Sequence, residues 1–186
     1  MVKAVFLDRD GVINAYPGDS KYVTSWQEFS FLPGVQAALK KLSAGGYQIF
    51  IISNQAGVSK GIYSKETLDS ITQNMLAEFA KYQIKISGVY YCLHRSEDNC
   101  ACRKPKSGMV EEAISRLKSE GFDTDRSGSF FVGDTIRDIE TGKTAGLKTI
   151  LVFSGKEKPE NKSSWHDSPH FTASNLAEAV DLILQA

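Results

Sequence analysis

Net charge is the first thing this chain lacks: 22 Lys and Arg stand against 22 Asp and Glu. No global field draws it to nucleic acid or to anionic lipid, so a small-molecule partner is expected. Long hydrophobic runs are missing too, since nothing approaches the roughly 18 apolar residues of a membrane span. The first residues, Met1-Val2-Lys3-Ala4-Val5, pass straight into a short apolar run without a signal-peptide layout, which predicts a cytoplasmic protein with no membrane partner. Cysteine is scarce: there are three, an odd number, all within residues 92–102, and that is not how a disulfide framework is distributed. A reducing compartment and a bound metal suit the distribution better. Internal repeats and low-complexity segments are absent, and the most polar stretch, 155–168, reads as a surface loop. With 186 residues the chain is long enough for one substantial core and too short for two domains and a linker, which predicts a single domain over 1–186.

Short apolar runs rich in β-branched and aromatic residues recur at 2–7, 47–53, 88–92, 129–133 and 149–153, and each reads as a buried strand. Between them lie helical stripes. Val35, Ala38, Leu39 and Leu42 follow i, i+3, i+4, i+7 spacing, as do Val110, Ala113, Ile114 and Leu117. Further stripes run through Leu68, Ile71, Met75 and Phe79, behind a Ser64 cap, and through Leu176, Val180, Ile183 and Leu184. The stripes account for the apolar residues without leaving an obvious exposed patch, so a monomer is expected. Alternating strands and helices imply parallel pairing and right-handed crossovers, hence an α/β fold with a doubly wound, Rossmann-like sheet covered by helices on both faces. Ligands bind such sheets beyond the carboxyl ends of the strands, which singles out the residues just after each apolar run.

After the first run come Asp8-Arg9-Asp10-Gly11. Positions i and i+2 of an extended strand share a face, so the two acids leave toward a common point, the layout of a nucleophile beside an acid/base. After the second run, Ser53 offers a hydroxyl and Asn54-Gln55-Ala56-Gly57 offer amides at a loop, suited to oxyanion atoms. Arg103-Lys104-Pro105, just before the third helix, supplies a guanidinium fork and a point charge for a phosphate. After the fourth run, Gly133-Asp134 repeats the pattern of an acid at a strand end, and Asp134 can share a cation with Asp8. Magnesium takes hard oxygen ligands, so two carboxylates, a carbonyl and a substrate oxygen would make an ordinary shell. Asp138, on the first turn of the next helix, reads equally as a helix-dipole acid or as a support of the metal.

That ordered set resembles the haloacid-dehalogenase-like phosphatase superfamily over nearly the whole chain. The strings DRDGVIN, SNQAG, CLH, CACRKPKSGM and VGDTIRD are similar to its branch acting on heptose bisphosphate or histidinol phosphate. The resemblance implies a magnesium-dependent phosphomonoester hydrolase. Asp8 would be the nucleophile that carries an aspartyl-phosphate, and Asp10 the general acid/base. Ser53 and Lys104 would stabilise the transferring phosphoryl group, Arg103 would help recognise substrate, and Asp134 would complete the magnesium site with Asp8 and the Asp10 carbonyl. The expected substrate is D-glycero-D-manno-heptose 1,7-bisphosphate, a small phosphorylated sugar. The alternative is the amino-alcohol ester histidinol phosphate.

Cys92, His94, Cys100 and Cys102 put three soft ligands and an imidazole in one short loop, enough for a closed, structural zinc site. Family members carry such a loop, although Leu93 stands where proline is usual. Neither 11–32 nor the stretch after Gln55 is long enough for a cap domain, so the site should be open, with a small flap from Asn14 to Trp26. Pro17-Gly18-Asp19 reads as its hairpin turn, and Tyr22 as the flap residue facing the substrate. His166 and His170 read as bystanders. Gly142-Lys143-Thr144 hints at a nucleotide-binding loop, but a helix rather than a strand precedes it. The rival class is a non-catalytic, zinc-stabilised binding module, which calls for a basic, aromatic-studded face that a neutral composition does not provide.

Overall fold

Strands whose residues are apolar on both sides need cover on both, and this requirement organises the molecule. The computed structural model describes all residues, 1–186. β1 (Ala4–Leu7) and β4 (Phe130–Gly133) are buried throughout, and β2 (Gln48–Asn54), β3 (Gly88–Cys92), β5 (Lys148–Val152) and β6 (Phe171–Ala173) complete a six-stranded parallel sheet. The strand order is β3-β2-β1-β4-β5-β6. One face carries Val5, Leu7, Ile49, Ile51, Val132 and Ile150, which pack with α1 (Val35–Ala44), α2 (Lys65–Lys81) and α5 (Leu176–Gln185). The opposite face presents Phe6, Phe50, Ile52 and Phe131 to α3 (Gly108–Ser119), and Leu151 to α4 (Ile136–Thr144). Alternate residues of one strand thus serve two cores, as the pleat requires.

The expected doubly wound α/β sheet is what forms, and each of the five predicted strands lies within two residues of its predicted start. Ser64 caps α2 by accepting from the Thr67 amide. Neither segment proposed as too short for a cap carries one: 11–32 runs as turns and a short 3-10 turn, and α2 follows 55–64 directly. No helix is long and apolar enough to cross a membrane.

Four expectations need correction. β6 was not expected, because two of its three residues are exposed and its short apolar signal is too weak. His170, expected to be a bystander, pins that strand's start by engaging the Thr149 hydroxyl and amide through Nδ1. Leu184 belongs to the α5 stripe only by spacing; it is 42% exposed, and Ala179 takes the core position. The flap forms no hairpin. Its turn lies at Gly18–Lys21, closed by the Lys21 amide on the Gly18 carbonyl, with Ser20 in the left-handed region.

Candidate active site

β1 has β2 on one side and β4 on the other, so the chain winds away in both directions and leaves a crevice at the carboxyl ends of β1 and β4. Asp8 and Asp134 are the first polar residues there. A hollow of about 250 Å³ brings together Asp8, Asp10, Ser53, Asn54, Gln55, Arg103, Lys104 and Asp134, every sequence-expected site residue outside the cysteine loop. A larger hollow of about 560 Å³ between the start of α3 and α4 holds none of the sequence-expected site residues, and its Lys143 is paired with Asp167.

The two acids of the first loop sit in separate networks. Asp8 Oδ1 accepts the Arg9 amide at 2.7 Å, and Oδ2 lies 2.9 Å from the Lys104 ammonium. Burial pushes its pKa up to about 6, with Lys104 opposing and Asp138 reinforcing the shift. Asp10 is held at both oxygens by Arg9 Nη2 at 3.0 Å, and also by Asn14 Nδ2 and Gln55 Nε2, each at 2.9 Å. Burial alone would raise its pKa, but Arg9 and these amides outweigh it and keep the carboxyl below the usual aspartate value. The sequence reading passed over Arg9, which is completely buried. Phe29 and Tyr91 each place a ring 5.9 Å from its guanidinium carbon, a cation–π contact that helps compensate Nε and Nη1, which have no hydrogen-bond partner.

Lys104 is buried between two carboxylates, 2.9 Å from Asp8 and 2.6 Å from Asp138. Asp138 takes the helix-terminus role, its Oδ2 accepting the Thr135 amide and hydroxyl to cap α4, while Oδ1 pairs with Lys104. Asn54 and Gln55 line the hollow, and their side chains are also engaged within the protein. Asn54 clamps the Lys104 backbone in both directions, at 3.1 and 3.2 Å. Gln55 joins Asp10 to Ser53 and accepts the Tyr63 hydroxyl, and its own amide donates to the Cys92 carbonyl. Both are therefore braces of the site. Arg103 stays at the rim, donating to the His94 carbonyl, and Tyr22 lines the hollow with its hydroxyl on Lys60.

Asp134 is the carboxylate the surroundings make room for. A Cβ on Gly11 would fall 2.2 Å from its Oδ2, and one on Gly155 2.0 Å. Its Oδ2 accepts the Lys156 amide at 2.7 Å, and the Lys156 ammonium reaches Asp19 of the flap at 2.8 Å. The polar stretch after β5 is therefore part of the site at its start, a contribution that applying the strand-end rule to the fifth run would have revealed. Oxygens of Asp8, Asp134 and Asp138 lie within 4.8 Å of one another. Burial, then Asp8 and Asp138, push the Asp134 pKa well above the usual value. Three crowded, buried carboxylates with one lysine between them fit a hard divalent cation.

Cys92, His94, Cys100 and Cys102 also converge. Cys102 Sγ lies 3.3 Å from both Cys92 and Cys100 Sγ and 3.3 Å from His94 Nδ1, and Cys92 to Cys100 is 3.6 Å. A tetrahedral zinc with Zn–S of about 2.3 Å would set S···S edges of roughly 3.7 Å, so the four donors fit that ion with little adjustment.

Comparison with known proteins follows the same lines. The HAD-hydrolase-like family model matches residues 101–179. A Campylobacter jejuni protein, D-glycero-alpha-D-manno-heptose-1,7-bisphosphate 7-phosphatase, is 38% identical over 84% of this chain and 85% of its own. The Haemophilus influenzae D-glycero-beta-D-manno-heptose-1,7-bisphosphate 7-phosphatase is 39% identical over 84% of each. The crystal structure of a D,D-heptose 1,7-bisphosphate phosphatase from B. bronchiseptica, complexed with magnesium and phosphate, superposes with a TM-score of 0.85 at 29% identity over 99% of both chains. On this identity, extending over most of both partners, the chain belongs to the haloacid-dehalogenase-like phosphatases, within the heptose-bisphosphatase branch.

Proposed function

We propose that residues 1–186 form one cytoplasmic, monomeric phosphatase domain that hydrolyses the 7-phosphate of D-glycero-D-manno-heptose 1,7-bisphosphate. The observation that carries this reading is the Lys104 ammonium fixed between Asp8 and Asp138 beside Asp134, at the floor of an open hollow. Asp8 attacks phosphorus in line, forming an aspartyl-phosphate as the ester P–O bond breaks, and Lys104 balances charge on the phosphoryl oxygens with the Ser53 hydroxyl beside it. Asp10 gives a proton to the leaving alkoxide and later takes one from the water that releases phosphate. Its pairing with Arg9 favours the ionised form that the second step needs, while the negative charge of bound substrate raises its proton affinity for the first. Asp8, Asp134 and the Asp10 carbonyl would hold magnesium, which supplies charge neutralisation where a carboxylate meets a phosphate dianion. The cysteine–histidine loop would hold a structural zinc.

Histidinol phosphate is the second reading, because the phosphate-handling residues alone accept either ester. Initial rates on both compounds with magnesium, for the unchanged protein and for Asp8→Asn, test the assignment. The heptose bisphosphate should turn over faster, and Asp8→Asn should lower the rate by roughly four orders of magnitude or more. A preference for histidinol phosphate removes the substrate assignment, and near-normal turnover by Asp8→Asn removes the mechanism.

A further inference from the structure

A side-chain amide has two ends of opposite hydrogen-bonding sense, and in Gln55 both are committed behind the reacting groups. Nε2 donates to Asp10 Oδ2 at 2.9 Å and to Ser53 Oγ at 3.1 Å, while Oε1 accepts from the Tyr63 hydroxyl at 2.6 Å. Gln55, Ser53 and Tyr63 are all buried. The sense of each bond follows from Asp10. Paired with Arg9, its carboxylate can only accept, so the amide turns its NH2 toward Asp10 and its oxygen away. A buried oxygen needs a donor, and Tyr63 supplies it; burial raises the phenol pKa and keeps the proton in place. Ser53 is fixed in turn. Its oxygen accepts the second N–H of Gln55, which leaves the hydroxyl proton to be donated into the hollow that Ser53 lines.

Tyr63 lies in the turns between β2 and α2, and its ring packs 6.1 Å from that of Tyr22 in the flap. The Gln55 backbone amide is tied to the Cys92 carbonyl at 2.8 Å, so main chain and side chain are both anchored. We propose that Tyr63 is a positioning residue for the hydrolysis: its hydroxyl holds the Gln55 amide in the orientation that braces Asp10 and leaves Ser53 as a donor to the phosphoryl oxygens. The inference rests on the phosphatase reading above and adds the residue that aligns its acid/base with its phosphoryl donor. Tyr63 itself touches no reacting atom. Without its hydroxyl, Gln55 Oε1 is a buried acceptor with no donor, and the amide is driven to turn and take the Ser53 proton. Asp10 and the phosphoryl group would each lose an aimed hydrogen bond, a loss of reaction geometry more than of substrate affinity.

The test measures kcat and KM on p-nitrophenyl phosphate with magnesium for the unchanged protein, Tyr63→Phe, Gln55→Met and the double variant. Tyr63→Phe keeps the ring beside Tyr22 and should fold, which a melting curve checks. It should lower kcat about tenfold while KM changes less than about twofold. In the Gln55→Met background the same substitution should cost less than about twofold, because no amide is left to orient. An unchanged kcat in Tyr63→Phe overturns the role, and so does an equal loss in both backgrounds. Should Gln55→Met prove too unstable to assay, the split within Tyr63→Phe decides, and a change in KM with kcat intact overturns the role. An unchanged protein that hydrolyses no phosphate ester removes the phosphatase reading and this role with it, whereas an active one indifferent to Tyr63→Phe removes the role alone.

Discussion

Gly155 illustrates how closely single residues are fitted around the Asp134 carboxylate. Its missing Cβ leaves the space occupied by Asp134 Oδ2, and Gly11, with φ of +84°, leaves the space on the other side. Gly155→Ala should push Asp134 out of place and raise the magnesium concentration for half-activation by about 10- to 100-fold, the cost usual for disturbing a metal ligand's support. A magnesium titration of p-nitrophenyl phosphate hydrolysis reads it, and an unchanged midpoint means that Asp134 does not hold the ion. Residue types pointed to the acids and to Lys104, because two acidic strand ends, a Ser-Asn loop and an Arg-Lys pair before a helix occur together in register with the strands. They did not show that Asn54 and Gln55 would turn inward as braces, since an amide side chain serves substrate and scaffold equally well.

The cysteine–histidine loop acts as an element. It runs from the end of β3 to Arg103-Lys104, and its four donors lie close enough to share one ion. Lys104 is thus positioned from two sides, by the loop before it and by the Asn54 clamp. Cys102→Ser should lose zinc, lower the melting temperature by roughly 5 °C, equivalent to about 1–2 kcal/mol for a chain of this size, and reduce turnover through a mobile Lys104. Native mass spectrometry and a melting curve check this; full stability and activity in a zinc-free variant would contradict it. Cysteine spacing made this loop legible because every cysteine in the chain lies in it. β6 was not legible: three residues, two of them exposed, carry too little apolar pattern, and its place is secured by the contact between His170 and Thr149.

At the scale of the whole molecule, the buried carboxylates tie stability to pH. Asp8 has its folded pKa raised to about 6 from 3.8, so the folded protein holds more protons than the unfolded chain between those values. Stability contributed by protonated Asp8 is therefore lost as pH rises through the folded pKa, and Asp134, shifted the same way, adds to the loss. Without magnesium but with zinc retained, unfolding free energy should fall by about 1 kcal/mol or more from pH 5 to pH 7, measured by denaturant titration. Magnesium should remove most of that fall, because a cation favours the ionised carboxylates. Stability that rises over this range without magnesium would show that the carboxylates are not strained in the way their burial implies.

Periodicity sufficed for the parallel α/β architecture, because strands buried on two faces and helices buried on one write different spacings into a chain. Motif order sufficed for the phosphate chemistry, because Asp8 and Asp134 follow their strands directly and Lys104 comes just before its helix. Contacts between residues far apart in sequence were decided only by folding. The glycines flanking Asp134, Lys156 tying the flap to that carboxylate, and Lys104 meeting Asp8 and Asp138 all depend on where separate loops end up in space. Local sequence encodes backbone preference and burial pattern, whereas the distance between two side chains on different loops is set by the packing of the whole sheet.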